Sequence, residues 1–430
     1  MESFLDFFAL SDPNVRFVLS GAILLTACSA IIGCFTLLRK RALIGDAIAH
    51  SVLPGVCLSF ILWKEKNPLI LMTGAFISGW ISVAAMDFIT KKSRIKEDAA
   101  LGLVLSVFFG FGILLLTYIQ HSGNAQQTGL DHFLFGKITS LVQEDLIVLI
   151  ILAITIIVAV IVLFKEFTLI SFDEKFAVSI GLPVKLIKTI LTSLTVLAVV
   201  VGIQAVGVVL MAAMLVTPAA AARFWTDKIT TMILLAALIG AISGVAGSYI
   251  SYVAHDMPTG PWIVLIISFS AILSFVFAPH KGILYRYYQQ YKNRKKILEE
   301  NILKAFFQMG EKEEDYFRIR TIETINFKRN LGYSRLKKGL SSLAADGFVE
   351  KKESGWILTA EGKNKGQRIT RIHRLWELYL TNYLNIAADH VHEDAETIEH
   401  ILTPELEKRL EEILDRPSQD PHSSSIPYNK

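Results

Sequence analysis

The sequence predicts an all-α, multi-span membrane domain of about nine helices followed by a smaller α+β domain in the cytoplasm. Mean hydropathy over the 430 residues is +0.47, and 52% of them are hydrophobic. Charge is unevenly spread. Residues 1–279 hold 33 charged side chains and residues 280–430 hold 49, about 12% against 32%. That break excludes a uniform soluble enzyme and a disordered chain, because the first part is too apolar for either. The third observation is that basic residues cluster in alternate gaps between the apolar runs.

Runs long enough to cross a bilayer, roughly 20 apolar residues each, fall at 15–37, 47–63, 68–90, 99–119, 145–164, 185–202, 205–222, 229–254 and 257–279. No charge lies between Lys188 and Arg223, so that stretch must turn, and Gly202–Gly207 is the predicted place. Nine crossings put the termini on opposite sides. With the N-terminus outside, the inner segments carry Arg39, Lys40 and Arg41; Lys91, Lys92, Arg94 and Lys96; Lys165 and Lys175; and Arg223 and Lys228. The outer ones carry only Lys64, Lys66 and Lys137, with Arg16 at an edge. The positive-inside bias therefore places the C-terminal domain in the cytoplasm. Cys28, Cys34 and Cys57 lie in apolar stretches without a CxxC pair, which excludes a disulfide scaffold. An acidic start and a full-length first run argue against a cleavable leader.

Within the membrane domain, Asp46 and His50 are four residues apart and share one helical face. Two readings fit them: a carboxylate–imidazole metal pair, or Asp46 as the cap of the second span with His50 as an interior hydrogen-bonder. Asp98 opens the fourth span and has the same two readings. Asp87 is expected at the inner interface, and His121 and His132 on the outer side. The inner segment 164–185, FKEFTLISFDEKFAVSIGLPVK, is amphipathic, with Phe172, Phe176, Ala177 and Ile180 at helical spacing and a Gly-Leu-Pro stop. It suits either the lipid interface or the groove of a partner subunit.

The cytoplasmic part is predicted as a basic, Tyr-rich linker helix at 281–298 suited to an anionic leaflet, a winged-helix α+β domain at 299–366, a helical segment at 367–416 and a flexible tail at 417–430. Helices at about 294–309, 316–328 and 333–346 lead to two short strands, FVEKK and GWILT, then to helices at about 360–385 and 391–415. His373 and Glu377 are one turn apart; Glu396, Glu399 and His400 share a face; and His392 lies one turn before Glu396. Such faces are either solvated or metal-binding. Arg335, Lys337 and Lys338 on the third helix are available for DNA phosphates. With 26 basic against 23 acidic residues in this part, and a membrane tether, DNA is not the expected partner.

Two resemblances add to this reading. LLRKRALIGDAIAHSVLPGV (37–56), FDEKFAVSIGLP (172–183) and GVVLMAAMLVTPAAAARF (207–224) resemble permeases of the ABC-type zinc/manganese/iron importers, and the similarity covers residues 15–280. It implies a multi-pass protein of the bacterial plasma membrane. It also implies pairing of two permeases (homodimer or heterodimer), a cytosolic ATPase and an extracellular metal-binding protein. Asp46, His50 and Asp98 become path residues, and Phe172, Asp173, Glu174, Phe176 and Gly181 become the ATPase-coupling segment. No GxxxxGK[ST] loop is present, so ATP hydrolysis is expected elsewhere and this chain is not itself an enzyme.

SRLKKGLSSLAADGFVEKKESGWILTAEGKNKG (334–366), with RIHRLWELYLTNYL (371–384), VHEDAETIEHILTPELEKRLEEIL (391–414) and DRPSQDPHSSSIP (415–427), is similar to metal-dependent repressors of the diphtheria-toxin-repressor family. That resemblance implies a metal site drawn from His373, Glu377, His392, Glu396, Glu399 and His400. Glu300 stands near the first-helix ligand, and Leu303 stands where a second carboxylate belongs. His390 and His422 have weaker claims. Oxygen and nitrogen donors without thiolate favour Mn2+ over zinc or copper; Zn2+ and Fe2+ stay as alternative cargo. The combined expectation is an ABC permease importing manganese (or zinc or iron(II)) with a metal sensor that gates it. A proton-coupled secondary carrier and a membrane-tethered transcriptional regulator are the rival readings.

Overall fold

Apolar length dictates the first of two units, residues 1–285 and 286–430, into which the chain divides in the computed structural model. The structure describes residues 2–65, 67–121, 136, 138, 141–254, 257–328, 332–384, 403–422 and 424–428. Among them, nine helical stretches are long and apolar enough to cross a membrane.

A short helix α1 (Glu2–Ala9) precedes α2 (Pro13–Leu38), which starts where the Asp12 carboxylate accepts the Asn14 N–H at 2.8 Å and Pro13 takes the first turn. The second crossing is made of α3 (Ile44–Ser51) and α4 (Leu53–Trp63). They join at Val52, just before Pro54, which has no N–H to give the His50 carbonyl four residues back. Then come α5 (Pro68–Lys92), capped by Asn67, and α6 (Glu97–His121). α7 (Gln143–Val162) is followed by two short helices, α8 (Phe164–Phe172) and α9 (Glu174–Ser179). The long uncharged stretch turns at Gly207, between α10 (Val184–Val206) and α11 (Val208–Trp225). Gly207 has φ +89°, a conformation that favours glycine. The last crossings are α12 (Ile229–Val253) and α13 (Thr259–Phe277).

Lipid tails are as apolar as leucine, so helices associate in a membrane through close packing rather than through hydrophobic burial. Small residues make that possible here. A Cβ on Gly55 would stand 2.0 Å from the Gly74 carbonyl oxygen, so α4 and α5 meet backbone to backbone. α2 packs along α12 and α11, and α3 is surrounded by α5, α6, α10 and α11. The Ile44–Trp63 crossing is the most enclosed: 78% of its apolar window is buried, against 22% for α13.

In the second unit, the expected linker helix and first domain helix are one helix, α14 (Ile283–Glu313), which begins in the first unit. α15 (Ile322–Lys328) is shorter than expected, because the backbone of Arg320 exchanges two hydrogen bonds of 2.9 Å with Trp356 instead of coiling. α16 (Tyr333–Ala345) follows, then β1 (Val349–Lys352) and β2 (Gly355–Leu358), an antiparallel pair in the register Val349 opposite Leu358. The core joins Ile302, Phe306, Leu336, Leu340, Val349 and Trp356. α17 (Ala360–Leu384) and α18 (Pro404–Ile413) complete the unit. The expected flexible tail is packed instead. Ile426 is buried against Leu375 and Leu410, and its N–H bonds the Ser418 carbonyl at 2.8 Å. The Tyr428 hydroxyl donates to the Pro417 carbonyl at 3.0 Å.

Candidate functional site

α3 carries the first candidate pair. His50 Nε2 lies 3.6 Å from Asp46 Oδ1, with side-chain exposures of 24% and 43%. The His50 ring stands edge-on to Phe109 of α6 at 5.1 Å. Its Nδ1 is buried with no hydrogen-bond partner among the described residues. Asp46 is in the first turn of α3, but α3 has no side-chain cap; Leu43 occupies the cap position. The cap reading of Asp46 therefore has no hydrogen bond behind it. Asp98 is exposed in the first turn of α6, and among the described residues no group of three or more His, Cys, Asp or Glu side chains is gathered as a metal cage.

An ion network that the sequence reading passed over closes the ends of three elements. Arg41 reaches Asp87 of α5 at 2.9 Å and Glu97 of α6 at 2.7 Å. Burial, then the neighbouring Arg41 charge, lowers the pKa of the Arg39 guanidinium despite the carboxylates of Asp87, Glu174 and Glu97. The neighbour of Asp98, Glu97, is the carboxylate that the helix turns toward Arg41.

The segment 164–185 folds on the membrane unit by one side only. Phe167 is fully buried against Phe35, with ring centroids 5.6 Å apart, and Ala177 is buried too. Phe172, Phe176, Val178 and Ile180 are all more than half exposed. Asp173 caps α9 by accepting the Phe176 N–H at 2.9 Å, and Glu174 pairs with Lys188 of α10. Gly181, with φ +81°, ends the helix: its N–H bonds the Val178 carbonyl, and the Leu182 N–H bonds that of Ala177. The result is a capped knuckle with apolar side chains in the open.

In the second unit, α17 carries the second pair. His373 Nε2 and Glu377 Oε1 are 3.1 Å apart, each side chain 3% exposed. Glu300 on α14 pairs with Lys296 at 3.7 Å, and Leu303 is fully buried core. A leucine there fills the hydrophobic centre in place of a carboxylate. His390, His392, Glu396, Glu399 and His400, like His132 of the membrane domain, lie outside the described residues.

Next to the pair, Arg374 forks onto Glu311 of α14 at 2.9 and 2.6 Å, and reaches the Ser425 carbonyl and Asp420. Burial pulls its pKa down, but the Glu311 hydrogen bonds and the charges of Glu311, Asp420 and Glu377 outweigh that, so it stands raised. Asp420 also accepts the N–H groups of His422 and Ser424, which places His422 in a tail turn. On the other side, buried Glu407 of α18 takes both Arg368 and Arg371. These arginine latches were missed. Their only sequence signal is an arginine every three or four residues along a helix that also has a buried stripe. Arg335, Lys337 and Lys338 lie exposed on α16, whose Leu336, Leu340 and Leu343 face the core.

Residues 11–278 match the model of the ABC 3 transport family, and residues 359–428 that of the iron dependent repressor, metal binding and dimerisation domain. The chain is 42% identical over 379 residues to the manganese transport system membrane protein MntC of Bacillus subtilis, covering 88% of this chain and 86% of that one. It is 39% identical to the zinc transport system membrane protein TroC of Treponema pallidum, covering 67% and 97%. Among solved structures, PsaBC from Streptococcus pneumoniae in complex with Fab matches with 33% identity and a TM-score of 0.58, covering 67% of this chain and 99% of that one. With well over half its length matched and the apolar crossings to accompany it, this multi-pass membrane chain belongs to the ABC 3 transport family.

Proposed function

We propose that the chain is the permease subunit of an ATP-driven importer of manganese, with zinc or iron(II) as alternatives, and that its second unit senses the metal inside and gates transport. The observation that carries the proposal is the Asp46–His50 pair on the most enclosed crossing of the family-matched unit. An imidazole and a carboxylate suit these metals, and ionisable groups within a membrane mark transport paths. Two protein ligands leave positions for water, so an ion held there can also leave. Asp98 is the third path residue of this reading.

The apolar knuckle of Phe172, Phe176 and neighbours, held by Asp173, Glu174 and Gly181, is the docking point for a separate cytosolic ATPase. An extracellular binding protein delivers the metal to a pair of permeases, two copies of this chain or one copy with a second permease. The positive-inside bias supports an outer N-terminus and a cytoplasmic second unit.

In that unit, residues 299–366 are the winged helix, and the metal segment begins at residue 367. His373 and Glu377 fit a regulatory Mn2+: they form a buried nitrogen–oxygen pair one turn apart, without thiolate. His392, Glu396, Glu399, His400 and Glu300 would complete that site. Inhibition requires that metal bind one conformation of the unit better than another. DNA is not proposed as a partner, and Arg335, Lys337 and Lys338 are left as solvated charge.

The deciding experiment is uptake of each metal by proteoliposomes holding the chain with and without its ATPase, and with and without residues 295–430. ATP-dependent uptake, with inhibition by internal metal only when 295–430 are present, is expected. Uptake by the chain alone, driven by a proton gradient, would overturn the ABC mechanism. Unchanged regulation after the deletion would overturn the sensor.

A further inference from the structure

We propose that the N-terminal part of α14 is a docking surface for anionic phospholipid headgroups. From Lys281 to Lys296 there are six basic residues and no acidic one, with Glu299 the next carboxylate. Four tyrosines fall in the same stretch, and Tyr287, Tyr288 and Tyr291 are 72%, 64% and 65% exposed. At about 100° per residue, Leu284, Tyr287, Tyr288, Tyr291, Lys292, Arg294 and Lys295 share one half of the helix. Gln289, Gln290 and Asn293 occupy the other half, together with Arg286 and Lys296. Three tyrosines and three cations on one side, opposite three amides and two cations, describe a surface whose aromatic half meets both acyl boundary and phosphate. Tyrosine rings settle at headgroup depth, and lysine and arginine favour an anionic leaflet.

The chain also delivers this face to the right place. Only residues 278–282 separate the end of α13 at Phe277 from Ile283. They are tied down: Gly282 N–H bonds the Ala278 carbonyl at 2.9 Å, and Lys281 Nζ bonds the Arg223 carbonyl and Asp227 in the loop between α11 and α12. The His280 ring packs on Tyr285 at 5.0 Å. α14 therefore starts at the edge of the apolar zone. Fourteen residues of helix cover roughly 21 Å, several times the depth of a headgroup layer. Contact through Lys295 thus requires the helix to run along the surface. This inference rests on the multi-pass reading alone and not on which metal is carried, so its failure is separable from failure of the transport proposal.

The test uses the full chain in lipid nanodiscs with a spin label at Tyr288→Cys or, on the other half, Gln289→Cys; Cys28, Cys34 and Cys57 are buried and stay unlabelled. Accessibility to membrane-soluble oxygen is compared with accessibility to a water-soluble nickel chelate. In phosphatidylcholine containing phosphatidylglycerol, position 288 should favour oxygen and position 289 the chelate. In phosphatidylcholine alone, both should favour the chelate. Each basic residue is worth about fivefold in surface affinity. Lys292→Gln with Arg294→Gln should therefore weaken the oxygen preference at 288, and Lys292→Glu with Arg294→Glu should remove it. Equal chelate access at 288 and 289 in the anionic discs would overturn the proposal. So would an oxygen preference at 288 in both lipids, which would mean burial independent of headgroup charge. Shielding of 288 from both probes would also overturn it and point to a protein surface instead.

Discussion

Each unit of the molecule carries a histidine and a carboxylate one helical turn apart, and the two pairs differ in burial and in what supports them. Asp46 and His50 stand 3.6 Å apart with a quarter to nearly half of each side chain accessible, beside an aromatic ring and a helix joint at Val52. His373 and Glu377 stand 3.1 Å apart and are almost wholly buried, on a helix latched through neighbouring arginines to α14, α18 and the tail. A pair whose side chains stay partly accessible can take up an ion and release it. A closed pair, whose surroundings are themselves fixed by buried charge, suits an ion that is held. The same two residue types at the same spacing thus sit in different surroundings, and on the proposed reading burial and the supporting shell set how each pair would treat an ion.

The sharpest way to break that comparison is to exchange the losses. Asp46→Asn or His50→Ala should reduce ATP-driven metal uptake to the level of empty vesicles, while the protein still assembles with its ATPase. His373→Ala or Glu377→Gln should leave uptake at low internal metal unchanged and relieve inhibition at high internal metal. Initial uptake rates against internal metal concentration separate the two. Uptake that survives both α3 substitutions would remove Asp46 and His50 from the path.

Next in size is the support of the closed pair. Arg374→Met leaves Glu311 and Asp420 facing a partner that carries no charge, and breaking a buried pair in this way costs about 3–5 kcal/mol. Hydrogen exchange on the full chain should show residues 404–428 losing protection and α3 unaffected. Intact protection in the tail would mean that apolar contacts of Ile426 and Leu410 suffice to hold it.

The sequence was legible wherever one physical quantity dominated. Apolar length located all nine crossings, and helical spacing located both histidine–carboxylate pairs. It was less legible where two residues of one type compete. Gly202 and Gly207 were equal candidates for the turn. Only Gly207 adopts positive φ, whereas a Cβ on Gly202 would strike Met211 Sδ at 2.1 Å, so that glycine serves packing. Asp98 and Glu97 are adjacent carboxylates, and helix phase, which composition does not reveal, sends Glu97 to Arg41. The tail reads as flexible from its Pro and Ser content, yet Asp420 and Ile426 are buried by partners distant in sequence. The 316–328 stretch reads as helix, and backbone pairing of Arg320 with Trp356 takes its first part away.

A smaller effect sharpens the contrast at the knuckle. Asp173→Ala removes the cap of α9 and should cost about 1 kcal/mol locally. ATP hydrolysis by the assembled complex should become less dependent on metal, with the Asp46–His50 pair still binding. Asp173→Ser, which restores an acceptor, should recover the coupling. If Ala and Ser behave alike, the exposed phenylalanines rather than the cap set the docking.

The smallest effect is electrostatic. Asp227 accepts a hydrogen bond from Lys281, with further help from the Lys281 and Arg223 charges, and these hold its carboxyl below the ordinary carboxylate range although it is largely exposed. A carboxylate with a depressed folded-state pKa adds stability above its unfolded pKa, and that stability is lost as pH falls through the folded value. Because water and salt screen the pair, the contribution is small. Thermal melts of Asp227→Asn and the unaltered chain should differ slightly near about pH 6 and converge as pH falls through the depressed folded-state value, with the gap closing in high salt. No gap near about pH 6 would mean that the loop is held instead by the hydrogen bond of Lys281 to the Arg223 carbonyl. α14 would then start from a fixed point that does not depend on Asp227.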